Sequence, residues 1–138
     1  MTIELRRPKP DDVPELGRIC YEAFRHIAEA HGFPKDFVSP EFAVGIVGLL
    51  LSQERVYTSA AYDGERPRGS NFINMWGDVA GIGPISVDIE AQGEGIGKQL
   101  MQDVIAHALH VVASRPGHVD SCQETFRVGA SLERVESR

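Results

Sequence analysis

Cysteine is scarce in this 138-residue chain: Cys20 and Cys122 are its only two. They are too few and too far apart for a disulfide framework or for the close spacing of zinc ligands. A reducing, cytoplasmic setting with no metal site is expected. Positive charge is also in deficit. Fourteen Lys and Arg against twenty Asp and Glu leave a formal net charge of −6. Nonspecific binding to nucleic acid or to an anionic membrane needs the opposite excess, because Lys and Arg must displace counterions. Long apolar runs are missing: the longest, near Phe42 to Leu51, falls short of a membrane span. The first residues lack the basic-then-apolar pattern of a secretory signal, and there are no internal repeats. What is left, with 42% hydrophobic and 25% charged residues, is the composition of a soluble chain that can bury one core. Its acidity mildly favours an amine as substrate.

Periodicity divides the chain into strands and helices. Ile3 and Leu5 alternate with polar neighbours as a first strand that ends at Pro8 and Pro10. Asp11-Asp12 opens a helix whose apolar positions, Val13, Leu16, Ile19, Cys20, Ala23, Phe24 and Ile27, recur at helical spacing through Ala30. Pro14 sits harmlessly in its first turn, and Gly32 stops it. After the loop from Phe33 to Phe37, Ser39 caps a second, short and apolar helix with Pro40 at its first position. Val56 to Tyr62 is rich in β formers. The Asp63-Gly64 turn signal predicts a hairpin into a third strand from Gly69 to Asn74. Gly77-Asp78 marks the next turn. Ala80 to Val87 forms a fourth strand, which Gly83 and Pro84 interrupt with a bulge. Ile96, Leu100, Val104, Ile105, Ala108 and Leu109 line one face of a last helix.

Between that fourth strand and the last helix stands Gln92-Gly93-Glu94-Gly95-Ile96-Gly97-Lys98. A strand, a glycine-rich turn and a helix N-terminus make an anion cradle. The first helical turn leaves backbone N–H groups without intrahelical acceptors, and the helix dipole adds partial positive charge there. Glycines leave those amides open to phosphate oxygens. Three kinds of phosphate loop compete for the segment. A Walker loop would need glycine at Gln92 and a hydroxyl at Gln99, and has neither. A Gly-x-Gly-x-x-Gly dinucleotide fingerprint begun at Gly93 would put its third glycine at Lys98, and no acidic ribose-binding residue ends a following strand. Gln-x-x-Gly-x-Gly fits, with the strand ending Val87-Asp88 upstream and Leu100-Met101 downstream.

That combination resembles the acetyl-coenzyme A pyrophosphate loop of the GNAT superfamily of N-acetyltransferases, and the order of elements from about Met1 to Ala113 is similar to the amino-terminal two thirds of such a domain. The resemblance implies an α/β fold with a mixed sheet, residues 1–113 forming the domain and residues 114–138 an atypical tail. Acetyl-coenzyme A would be the cosubstrate. Backbone groups around Ser86 and Val87 would hold pantetheine. The amides of Gly93, Glu94, Gly95, Ile96, Gly97 and Lys98 would hold the pyrophosphate, and Gln92 would brace the loop. Lys98 either adds charge at the phosphates or is a solvated lysine on the first turn. Glu94, being negative, would repel phosphate and should point outward; many relatives carry a basic residue there, so coenzyme binding should be weakened.

The implied reaction is attack of a neutral amine on the thioester carbonyl, with a base removing the amine's proton. Asp78, Asp88 and Glu54 are candidate bases or surface carboxylates. His26 and His31 are equally ambiguous, and His107 and His110 decorate a helix face. Phe33, Phe37 and Phe42, between the first two helices, are acceptor-pocket candidates or ordinary packing aromatics. The family's usual tyrosine acid has no matching position, since Tyr21, Tyr57 and Tyr62 all precede the loop. From Ser114 to Arg138 only Phe126, Val128, Ala130 and Leu132 alternate, so the family's last helix and strands are not expected here. Two functions remain: an N-acetyltransferase acting on a primary amine of a small molecule or a peptide, as a monomer or homodimer, or a noncatalytic acyl-coenzyme A binding or interaction module.

Overall fold

The computed structural model describes residues 2–32, 37–76 and 79–114. The expectations placed on Phe33, on the Gly77-Asp78 turn and on the tail beyond residue 114 lie outside them. In chain order the elements are β1 (Ile3–Arg6), a 3-10 turn (Pro10–Asp12), α1 (Val13–His31), α2 (Pro40–Ser52), β2 (Val56–Asp63), β3 (Arg66–Trp76), β4 (Val79–Ile82), β5 (Ser86–Val87), a second 3-10 turn (Ile89–Ala91) and α3 (Ile96–Ala113).

The helix boundaries follow the local chemistry. Gly32 closes α1 at φ 68°, its N–H donating to Ala28 O, a left-handed cap that suits glycine. The Ser39 hydroxyl accepts the Phe42 N–H at 3.1 Å, and Pro40 fills the position whose N–H has no helical partner. The two helices pack closely at Gly17, where a Cβ would lie 2.5 Å from Val44 Cα. Ile27 is half exposed, and Ala28 takes the buried position of that turn. On α3 the buried stripe is Ile96, Leu100, Met101, Val104, Ala108 and Val112. At 100° per residue Met101 and Val112 stand just beyond the arc of Leu100, Val104 and Ala108 and widen it on one side, whereas Ile105 and Leu109 lie further round on that side and are only half-buried.

The strands form one sheet in the order β1-β2-β3-β4, with β5 also paired to β3, and every described pairing is antiparallel. Asp63 pairs with Arg66, leaving Gly64 and Glu65 as a two-residue hairpin loop with Gly64 at φ 63°. β3 begins three residues earlier than expected. Pro67 is accommodated where the register shifts between Ala61 and Tyr62, a place where its missing N–H breaks no regular ladder.

The expected fourth strand is present as two pieces on one edge of β3. Ile82 pairs with Ile73 and Ser86 with Ser70, so residues 83–85 stand opposite residues 71–72, the one-residue excess of a bulge. Gly83 N–H still reaches Phe72 O at 2.8 Å.

Helices cover both faces of the sheet, as the α/β class requires. Leu16, Cys20, Val47, Val56, Ala60, Tyr62 and Phe72 form the core under α1 and α2. Under α3 lie Ile73, Ala80, Met101, Val104 and Ala108, continuing into Ala61, Ala91, Ile96 and Leu100. Burial on both sides makes β2 apolar or small nearly throughout. Among the described residues no helix is long and apolar enough to cross a membrane, and no three His, Cys, Asp or Glu side chains cluster to hold a metal ion.

Candidate functional site

The turn that leads into α3 is built on an ion pair. Asp88 accepts from Arg68 Nη1 at 3.1 Å, both side chains being more than nine-tenths buried, and its other oxygen accepts the Glu90 N–H at 3.1 Å. The Asp88 N–H donates to Arg68 O at 2.7 Å. This clamp fixes the 3-10 turn, whose Ala91 is buried against Ile96 and Leu100. The sequence holds no signal for it, since Arg68 and Asp88 are twenty residues apart.

From that anchor the chain emerges as an exposed run, Gln92 to Gly95. Gly93 has φ 90° and Gly95 φ 80°, values that L side chains rarely adopt. A Cβ at either would meet nothing within 4 Å, so the space above the loop is open. Gly95 caps α3 without a side-chain hydrogen bond, and the first amide to find an intramolecular acceptor is that of Gln99, bonding Gly95 O at 3.1 Å. The amides of residues 93–98 have no such acceptor among the described residues. Orphaned donors at the positive end of an eighteen-residue helix fit an anion of phosphate type. Gln92 Nε2 donates to Val87 O at 3.1 Å, tying the loop to β5. Glu94 and Lys98 are both exposed.

Ser86 and Val87 differ in what they present. In an antiparallel ladder alternate residues turn their backbone groups to the partner strand. With Asp88 N–H on Arg68 O and Ser86 in register with Ser70, Ser86 faces β3 and Val87 faces the outer edge, where Gln92 meets its carbonyl. The Ser86 hydroxyl is buried on the α1 side beside Cys20, whose thiol is pushed up to about 11 by burial, an effect that the Ser86 hydroxyl opposes. Gly69 makes this packing feasible. A Cβ there would lie 2.6 Å from Ser86 O and 3.3 Å from Leu100 Cδ1, so glycine lets β3 approach β5 and α3 at once. A glycine inside a β pattern was the available signal for such an approach.

The candidate acid and base residues are spread over the molecule. Asp88 is committed to Arg68 and to the turn it caps. Glu54 lines a cavity of ≈ 560 Å³ with Arg7, Tyr57, Met75, His107 and Val111, eleven to fifteen residues along α3 from its start and so roughly 20 Å from the loop. There Tyr57 stacks on His107 at 3.8 Å and donates to Asp103 Oδ2 at 2.8 Å. Burial first, then the Asp103 carboxylate, pushes the Tyr57 phenol up to about 12; burial lowers the His107 pKa. The Tyr62 hydroxyl donates to Asp12 at 2.6 Å with Arg6 over its ring, and burial raises its pKa. His26, His31 and His110 are exposed, and Asp78 lies outside the described residues. Phe37 packs edge-to-face on Phe24 at 5.3 Å and against Phe42 at 6.3 Å, the geometry of packing aromatics.

This architecture is shared with solved acetyltransferases. A GNAT family acetyltransferase from Brucella melitensis, solved in complex with acetyl-CoA, superposes with a TM-score of 0.60 at 24% identity, over 77% of this chain and 68% of that one. PaiA N-acetyltransferase from Thermoplasma acidophilum, in complex with coenzyme A, gives 0.56 at 16% identity over 75% and 70% of the two chains. The ribosomal-protein-S18-alanine N-acetyltransferase of Escherichia coli gives 0.58 at 16% identity over 93% and 77%. No curated protein sequence matches the chain. At these identities the likeness is one of fold. The sequence pattern of the acetyltransferase (GNAT) family, however, matches residues 15–116, most of the chain and all of the loop. The chain therefore belongs to the GNAT acetyltransferase family.

Proposed function

We propose that this protein transfers an acetyl group from acetyl-coenzyme A to a primary amine, as a soluble cytoplasmic protein that forms a homodimer. The observation that carries the reading is the row of acceptor-less amides from residue 93 to residue 98 at the start of α3, unshielded at Gly93 and Gly95. In this reading those amides bind the coenzyme's pyrophosphate, and Lys98, on the first helical turn, adds a mobile cation. Gln92 holds the loop against β5, so that the phosphate site and the outward backbone of Val87 keep a fixed spacing for the pantetheine arm. The exposed Glu94 side chain turns to solvent. The thioester supplies an activated acetyl carbon; the new N–C bond forms as the C–S bond breaks, the amine's proton passes to a base and the thiolate takes one up. Asp88 is not that base, because losing its charge would strand the buried Arg68 guanidinium.

One observation favours a second reading, a noncatalytic acyl-coenzyme A binding module. Asp88, Tyr57 and Tyr62 are each engaged in a structural hydrogen bond, so none is poised for proton transfer. Titration calorimetry with coenzyme A, followed by thiol release assayed against a panel of primary amines, separates the two. Binding with amine-dependent release establishes transfer, and binding without it establishes the module. No binding at millimolar coenzyme overturns both.

A further inference from the structure

α2 is apolar on more than the side that faces the core. From Phe42 to Gln53 no side chain is charged. Ala43 and Val47 are buried and Leu50 packs against the core. The opposite side carries Phe42, 48% exposed, and Leu49, 55% exposed, with Gly45 exposed between them and Val38, 81% exposed, just ahead of the helix. Positions 42, 45 and 49 form one stripe at helical spacing. Phe42 is held in place by Phe37, itself set edge-to-face on Phe24. A Cβ at Gly45 would meet nothing within 4 Å, so the middle of the stripe is a notch.

We propose that this stripe is a dimer interface: two copies of the chain pack α2 against α2, antiparallel, about a two-fold axis passing between Gly45 and Ile46. The stripe is complementary to itself in that arrangement. Phe42 of one copy meets Leu49 of the other and Gly45 meets Ile46, so the large residues flank a centre where the helix axes can approach to roughly 8 Å. Antiparallel packing also sets the positive end of each helix beside the negative end of its partner. Two copies each carrying a net charge of −6 repel except through an uncharged surface, and this face supplies one. Val38, Phe42 and Leu49 expose together roughly 300 Å² of apolar area per copy, taking about 150–250 Å² for a large side chain. With a polar rim of Glu41, Ser52 and Gln53 this forms the centre of an interface at the lower end of the stable range, roughly 1,200 Å² in all.

Sedimentation equilibrium of the full chain between about 1 and 200 μM tests this, with the expected result a reversible monomer–dimer equilibrium that added salt leaves unchanged or tightens. Gly45→Leu should leave the melting temperature unchanged or higher, since leucine is the better helix former, yet weaken the dimer at least tenfold by filling the notch. Leu49→Lys should weaken it by a similar factor. In a Cys122→Ser background, where Cys20 is buried, Phe42→Cys mixed with Leu49→Cys should form a disulfide-linked heterodimer, and neither variant alone should cross-link as fast. A wild-type chain that stays monomeric throughout, a dimer undiminished in both interface variants, or Phe42→Cys cross-linking to itself as fast as to Leu49→Cys would each overturn the proposal.

Discussion

Replacing Gly95 by valine tests the anion cradle most directly. Gly95 caps α3 at φ 80°, ψ 11°, a region that an L residue enters at a cost of about 1–2 kcal/mol, and a β-branched residue at more. Its Cβ would touch nothing within 4 Å, so the effect comes from backbone conformation and not from a clash. If the loop keeps its shape, the variant loses upwards of about 2 kcal/mol of stability, at roughly 4 °C in Tm for each kcal/mol. If it relaxes to negative φ, the peptide between residues 94 and 95 rotates and the N–H of residue 95 leaves the anion. Each hydrogen bond to a charged group contributes about 1.5–3 kcal/mol, so coenzyme A should bind about 10- to 100-fold more weakly. Lys98 is exposed, and Lys98→Ala should change affinity within about fivefold. Calorimetric titration of both variants, with melting curves of the free proteins to separate stability from affinity, decides the matter. Loss of binding in Lys98→Ala with no change in Gly95→Val would refute the backbone-cradle argument.

The other consequences can be checked by thermal unfolding. Coenzyme A at one hundred times its Kd should stabilise the protein by about 2.7 kcal/mol through mass action; no shift at millimolar coenzyme counts against the site. Gly69→Ala, with its Cβ 2.6 Å from Ser86 O, should cost about 1–3 kcal/mol and weaken coenzyme binding by displacing β5, whereas a wild-type melting curve would show that β3 and β5 are less tightly apposed. Gly17→Ala should cost a similar amount, and Val44→Ala should rescue it only partly, because the would-be Cβ also lies 2.5 Å from Val44 Cα and 2.9 Å from its nitrogen. Full rescue would place the conflict in the side chain alone. Burial lowers the His107 pKa, against an opposing pull from Asp103 and with a smaller push from His110. The unfolded chain therefore takes up that proton first as pH falls, and stability present above about pH 6.5 is lost as pH drops through the folded value. His107→Gln should flatten that part of the stability profile; an identical slope in the variant would remove His107 as its cause.

Local chemistry made much of this protein legible from its residues. The Ser39-Pro40 cap, the Gly32 stop, the Asp63-Gly64 turn and the excess residue at Gly83-Pro84 act within a few positions of chain, and each stands in the structure within about two residues of where the pattern put it. The glycine loop before α3 belongs to the same class, because positive φ and orphaned amides are properties of a short segment. Tertiary structure decided the rest. β3 extends back through Arg66-Pro67-Arg68 only because β2 offers it a partner along its whole length. Asp88, a candidate base by residue type, is turned into the anchor of the loop by Arg68, and Tyr57 and Tyr62 are bound to Asp103 and Asp12, forty-six and fifty residues away in the chain. Gly17 is an ordinary glycine in sequence and Gly69 only an interruption of a β pattern, and what each must accommodate is set when α2 and β5 pack within van der Waals reach of them. Backbone preferences are written residue by residue, whereas the protonation, exposure and availability of a side chain depend on distant groups that only the folded chain brings to it.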